Sequence, residues 1–368
     1  MPQMQRKQYG LPVPWFHKIK GKKINTLSPK EEIIAVLSGE DIGYFPRSIP
    51  VFTPVVDMMN VVNAYFPSAN YTGEEMANLA VCSHSLAKWH STMIPWASTV
   101  EMEALGCEVI NKEDDIAGYP QCKKKAFDEP YDVVIPEDIL EKGSFPAVFE
   151  ATRIVRKKLD DDYTETIPIV SMFQGPFTIA SYIIGVNEMF KLTLKDKERA
   201  AFVLDKVADL LIMYGSEMLK NGGDLINMAD PVAEGLMPRV FTNLVVPVYR
   251  KITEGIKGEK MIHVCGRTQK IAPLLPETGF NAFSFDYPAI EVKYLKEALG
   301  DKMKLVGSVP TVTHFLEGKP QDVIDMSHWM IESGVDILSP SCGLPQYSPL
   351  ENVKAMADAI EIWNKKKS

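Results

Sequence analysis

The chain has 368 residues, 46% hydrophobic and 24% charged, enough to bury a sizeable core in one large α/β domain or two ordinary ones. Its net charge of −8, from 40 basic and 48 acidic residues, argues against a nucleic-acid surface, which needs a basic face. No apolar run approaches the ~18 residues of a membrane span, and Met1 to Lys23 lacks the apolar core of a signal sequence, so the expected compartment is the cytoplasm. The five cysteines are odd in number and irregularly spaced, which speaks for reduced thiols rather than a disulfide framework.

Residues 1–48 read as an N-terminal arm and helix, with a loose aromatic patch at Trp15 and Phe16. Ser28-Pro29-Lys30-Glu31-Glu32 opens the helix with a cap, a proline in the first turn and acids at the positive end, and Gly39 stops it. From residue 49 a strand-then-helix rhythm sets in. The expected strands begin at Ile49–Val56 and Thr92–Trp96, separated by a helix over Gly73–Trp89. Residues 106–147, punctuated by four prolines, break the rhythm and read as an excursion, a hairpin or lid. Strands then recur at Ile167–Phe173, Asp224–Ala229, Lys260–Gly266, Ala282–Asp286, Lys304–Val309 and Val335–Ser339, and a helix from Leu350 closes the chain. Eight strand–helix alternations without a glycine-rich phosphate fingerprint predict a (β/α)₈ TIM barrel over residues 49–368.

His263 and Cys265 lie two apart on one predicted strand, so their side chains leave it on the same face. Cys342, in Ser341-Cys342-Gly343, ends another apolar strand. Two thiols and an imidazole suit a borderline-soft cation, and the expected metal is Zn²⁺ with an open fourth position. Asp286, ending the next strand, reads either as a cap of the following helix or as a displaceable fourth ligand or partner of His263. Asp230, before Pro231, and Gln174, before Gly175-Pro176, fall at strand ends on the same expected rim. Arg267 directly follows the metal strand, where a guanidinium suits an anionic substrate. Of the remaining thiols, Cys82 and Cys107 read as core and Cys122 as exposed. His84 and His90, six apart, do not share a helix face.

These motifs, His263-x-Cys265…Cys342 with Gln174-Gly175-Pro176-Phe177-Thr178 and Ala229-Asp230-Pro231, resemble the corrinoid-dependent methyltransferases of the uroporphyrinogen decarboxylase superfamily, above all the methylcobamide:coenzyme M methyltransferases. The resemblance spans roughly residues 29–365. It implies a barrel with one zinc at the C-terminal rim and a partner corrinoid-binding protein that carries the cobalamin. It also implies methyl transfer from that corrinoid to a thiol such as coenzyme M, with Asp286 at the open metal position and Asp230 in the pocket. The chain departs from the family pattern at Thr92–Trp96, where no basic residue stands, and at Arg267. Aromatic residues around the first two strands, Trp96 among them, therefore keep a second reading open: demethylation of a methoxylated compound onto reduced corrinoid. Uroporphyrinogen decarboxylation needs a cationic cleft for eight carboxylates, and the early chain offers only Arg47 near the first strand. A non-catalytic corrinoid-protein scaffold with a closed structural zinc is the reading from another class.

Overall fold

The computed structural model of the protein describes residues 27–51, 54–111, 115–163 and 166–367. The expected aromatic patch at Trp15 and Phe16 lies outside them. Its strands are β1 (Thr92–Ile94), β2 (Glu108–Ile110), β3 (Gln121–Lys124), β4 (Ile169–Gln174), β5 (Leu225–Ala229), β6 (Lys260–Val264), β7 (Ala282–Phe285) and β8 (Lys304–Val306). Six of them form one sheet in the order β1-β4-β5-β6-β7-β8, every neighbouring pair parallel. β4, β5 and β6 are buried along their whole length, as strands covered by side chains inside and helices outside must be.

Two irregular staves close the sheet into a barrel. Residues 337–340 join β8 through parallel bridges at Val306↔Ile337 and Val309↔Pro340. The Ile49 N–H then donates to the Leu338 carbonyl at 3.1 Å, and the Ser91 hydroxyl donates to the Ser48 carbonyl at 2.6 Å, which returns the circuit to β1. The expected first strand, Ile49–Val56, does not form as a ladder strand among the described residues; only residues 48 and 49 bond to its neighbours. Pro50 and Pro54 lack the N–H that a ladder needs, and a helix already begins at Val56. The last stave, expected over Val335–Ser339, likewise makes bridges rather than a ladder, and Pro340 has no N–H to offer.

The 106–147 excursion is built on the antiparallel hairpin β2–β3. Cys122, expected to be exposed, is half-buried, because it lies opposite Val109 in the paired hairpin. His84 and His90 also meet, with ring centroids 5.3 Å apart. The helix carrying His84 ends at Ser85, and two left-handed residues, Lys88 and His90, fold the chain back onto it. No third ligand joins this pair in a metal-binding group among the described residues.

The helix Pro29–Leu37 has the full capping box expected of Ser28 and Glu31. It docks under the barrel: its Lys30 N–H donates to the Thr166 carbonyl at 3.1 Å and its ammonium pairs with Asp224 at 2.5 Å. Thr166 lies three residues before β4 and Asp224 immediately precedes β5, so this helix covers the N-terminal end of the barrel and leaves the C-terminal rim open. No helix among the described residues is long and apolar enough to cross a membrane.

Candidate metal centre

β6 carries His263 just before its end, and Cys265 follows one residue past it. Gly266 then turns the chain at φ +82°, a conformation that favours glycine. The Asp286 carboxylate accepts the Gly266 N–H at 3.2 Å and pins that turn. On the other side Glu234 packs over Gly266; a Cβ there would meet its Cγ at 3.4 Å. Cys342 arrives from the last stave, held by the Ser341 N–H donating to the Val309 carbonyl at 2.8 Å.

The result is a tight cluster. His263 Nε2 lies 3.0 Å from Cys265 Sγ, and the two sulfurs are 3.5 Å apart. One ligand atom from each of the three residues lies within 4.8 Å of the other two. His263 is buried and both cysteines are half-buried, so the thiols face the mouth of the barrel. The hydrogen bond to Cys265, reinforced by the nearby His263 imidazole, pulls the Cys342 thiol down to about 4, while the same contact pushes Cys265 up. Thiolate sulfur and neutral imidazole nitrogen are the forms in which these three side chains act as metal ligands. Two sulfurs each about 2.3 Å from a tetrahedral ion would stand roughly 3.7 Å apart, close to the observed pair. The donor set and its spacing fit Zn²⁺.

Asp286 stands at the edge of this cluster, outside the mutually close trio. Burial raises its carboxyl, opposed by the Gly266 N–H, and the Ser341 hydroxyl also donates to it. It opens onto a cavity of about 770 Å³ lined by Arg267, Gln269, Asp286, Pro288, Ala289 and Glu291. Arg267 is exposed at this cavity and makes no ion pair among those of the described residues.

Asp230, read from the sequence as a pocket residue with a part in the chemistry, is placed differently. It is fully buried, and its oxygens accept from the Phe177 N–H (3.1 Å), the Thr178 N–H (2.7 Å), the Thr178 hydroxyl (2.6 Å) and the Tyr249 hydroxyl (2.8 Å). Four donors fill the lone-pair sites of an ionised carboxylate. Asp230 caps the helix Pro176–Ile184 and ties it to the loop after β5. The motif around it follows from this: a Cβ on Gly175 would lie 2.3 Å from that of Asp230, so only glycine allows the approach. Gln174 is buried beside it, its backbone N–H donating to Glu101 at 2.9 Å.

Trp96 is buried in an aromatic wall. Its ring centroid is 6.3 Å from that of Phe66, which lies 5.1 Å from Tyr119. Tyr119 is close enough to Cys342 for a thiolate there to raise its phenol further. Tyr44, another aromatic residue ahead of the first two staves, lies elsewhere, donating to Glu32 at 2.8 Å near the bottom helix.

Sequence reading missed several residues of this rim. Ser284 contacts His263, Glu234 covers Gly266, and Tyr119 comes from the excursion. Glu101, 1% exposed, is a carboxylate that burial raises to about 7. Only Ser284 carried a signal, as a small polar residue between two phenylalanines on an otherwise apolar strand.

Fold and site define a closed parallel β/α barrel with an imidazole–dithiol cluster on its C-terminal rim that could hold a metal ion. Residues 28–363 match the family model described as Uroporphyrinogen decarboxylase (URO-D), and the chain belongs to that family. It is 30% identical over 340 residues to the methylcobamide:CoM methyltransferase MtaA of Methanosarcina barkeri, covering 91% of this chain and 98% of that protein. It is 28% identical to a methylated-thiol–coenzyme M methyltransferase of Methanosarcina mazei, over 92% of this chain and 90% of the other. A solved methyltransferase structure from Methanosarcina mazei superimposes with a TM-score of 0.86 at 29% identity, covering 91% of this chain and 99% of that one.

Proposed function

We propose that this protein is a zinc-dependent methyltransferase that moves a methyl group from a corrinoid, carried by a separate corrinoid-binding protein, to a small thiol of the coenzyme M type. One observation carries the reading: an imidazole and two thiols converge on the catalytic rim of a barrel whose relatives, along nearly the whole chain, are methylcobamide:CoM methyltransferases. His263, Cys265 and Cys342 would hold the metal, and Asp286 would occupy or flank the position that the substrate takes. Zinc, when bound, supplies a Lewis acid that lowers the pKa of a ligated thiol, as it does for water.

The chain's own residues do the rest. Asp286 and Gly266 fix the turn that aims Cys265. Asp230 and Tyr249 hold the adjacent loop rigid, so Asp230 acts by positioning. Arg267 faces the open cavity and would pair with the anionic end of the thiol, orienting its sulfur toward the thiol cluster. Trp96 and Gln174 shape the buried wall against which the methyl donor is presented. The cytoplasm, where thiols stay reduced, is the compartment this chemistry needs.

The aromatic wall of Phe66, Trp96 and Tyr119 favours one second reading, removal of a methyl group from a methoxylated, often aromatic, compound onto reduced corrinoid. One experiment separates the two. Zinc-loaded protein is given methylcobalamin with coenzyme M, and reduced cobalamin with methoxyarenes, while the cobalt spectrum is followed. Demethylation of methylcobalamin by the thiol, absent with His263→Ala, is the expected result. Methylation of reduced cobalamin by ethers alone would establish the second reading. No change in either arm, with free cobalamin and with corrinoid proteins, would overturn both.

A further inference from the structure

His263 has two ring nitrogens and only one can face the thiols. Its Nε2 does so, at 3.0 Å from Cys265 Sγ. Its Nδ1 points away from the mouth, into the wall of the barrel, where the Ser284 hydroxyl lies 2.9 Å away. His263 is 2% exposed and Ser284 0%, so no solvent is available to satisfy Nδ1 in place of this hydroxyl. The pairing is built into the sheet: β6 and β7 run parallel with His263 opposite Ser284. A slip of one residue would put Phe283 or Phe285 there and leave the imidazole nitrogen buried without a partner.

We infer that Ser284 is the positioning residue of the metal centre, the group that accepts the Nδ1 proton of His263 and so holds Nε2 bare toward Cys265 and Cys342. A ligating imidazole must be neutral, with its one proton on the nitrogen away from the ion. A serine hydroxyl meets that demand in a particular way. It accepts from Nδ1–H when Nε2 is a ligand. By rotating its own proton it donates to Nδ1 when Nε2 carries the hydrogen and gives it to a cysteine sulfur. The same side chain therefore satisfies the buried ring in both the loaded and the empty site. A carboxylate in this place would only accept. It would also add a negative charge beside two thiolates, weakening the pull of the bound ion on a substrate thiol. Ser284 thus sets both how tightly the metal is held and how acidic a ligated thiol becomes.

This inference rests on the metal reading above, and its test keeps the two apart. Zinc affinity is measured by competition with a chromophoric chelator for the wild-type protein, Ser284→Ala and Ser284→Thr, alongside the electronic spectrum of the Co²⁺-loaded forms. The expectation is a loss of about 10–100-fold in affinity for Ser284→Ala, with most of it regained in Ser284→Thr, which keeps the hydroxyl. In the zinc-loaded wild type, nitrogen NMR of His263 is expected to find the proton on Nδ1, a readout that needs no variant to fold. Equal affinity in wild type and Ser284→Ala, or a proton missing from Nδ1, would overturn the role of Ser284 and leave the metal site standing. Failure of the wild type to bind zinc would overturn both.

Discussion

The two ends of the barrel use polar side chains in opposite ways. At the N-terminal end, Asp224 takes a salt bridge from Lys30 at 2.5 Å, another from Arg156 at 3.1 Å and the Ile169 N–H at 2.8 Å. Arg156 also donates to the Ile167 carbonyl at 2.7 Å, and buried Lys260 donates to the carbonyls of Ile256 and Gly258. Each charge there is matched by a partner. At the C-terminal rim, two half-buried thiols share one hydrogen bond, a carboxylate borders a cavity, and a guanidinium stands exposed beside it. The charges named at the bottom are engaged in ion pairs or hydrogen bonds that stabilise the barrel, whereas the groups at the top border a cavity that a metal or substrate can fill.

That contrast is open to test. The largest effect is expected at the top: Cys342→Ser should abolish stoichiometric zinc and lower methyl transfer by about 1,000-fold or more, with the far-ultraviolet circular dichroism unchanged. Metal analysis of the folded variant checks it, and retained zinc would break the comparison.

Next comes Glu101, which lies at the top but is sealed from the mouth. Burial raises its folded pKa to about 7 from an unfolded value of 4.5. Its contribution is fully present below pH 4.5 and is lost as the pH rises through 7. Stability should therefore fall by about 3 kcal/mol across that window. Glu101→Gln should flatten the slope and melt higher than the wild type at pH 8. An unchanged pH profile of denaturant unfolding would refute the assignment.

At the bottom, Asp224→Ala should lower stability by about 2–3 kcal/mol. That is less than the ~3–5 of a fully buried pair, because Lys30 and Arg156 keep 26% and 19% side-chain exposure. Zinc content should not move; a variant that lost metal along with stability would show that the ends are not independent. The smallest effect is expected of Arg267→Gln. KM for an anionic thiol should rise about 10-fold at unchanged kcat, and KM for a neutral thiol should stay the same.

Much of the barrel was readable because it depends on local pattern. Apolar runs ending at Gly or Asp mark β4 to β8, and the i, i+2 spacing of His263 and Cys265 places both on one face whatever the rest of the chain does. The staves at 48–49 and 337–340 were blurred by their prolines, which have apolar character but no N–H for a ladder. Asp230 shows the other limit. Its place at a strand end says rim, but only the packed structure brings Phe177, Thr178 and Tyr249 onto its oxygens and turns it from a reactive group into a cap.

By itself the sequence determined the fold class, the rim on which chemistry is placed, and the identity of two thiols and an imidazole as a soft-cation donor set. Those follow from side-chain periodicity and donor chemistry, properties of residues close together in the chain. Only the tertiary structure decided which groups touch. It put Cys342 against Cys265 and Ser284 behind His263. Such contacts depend on strand register and on where distant loops land, and a shift of one residue, which scarcely alters the pattern in the sequence, would exchange every one of the partners across a strand pair.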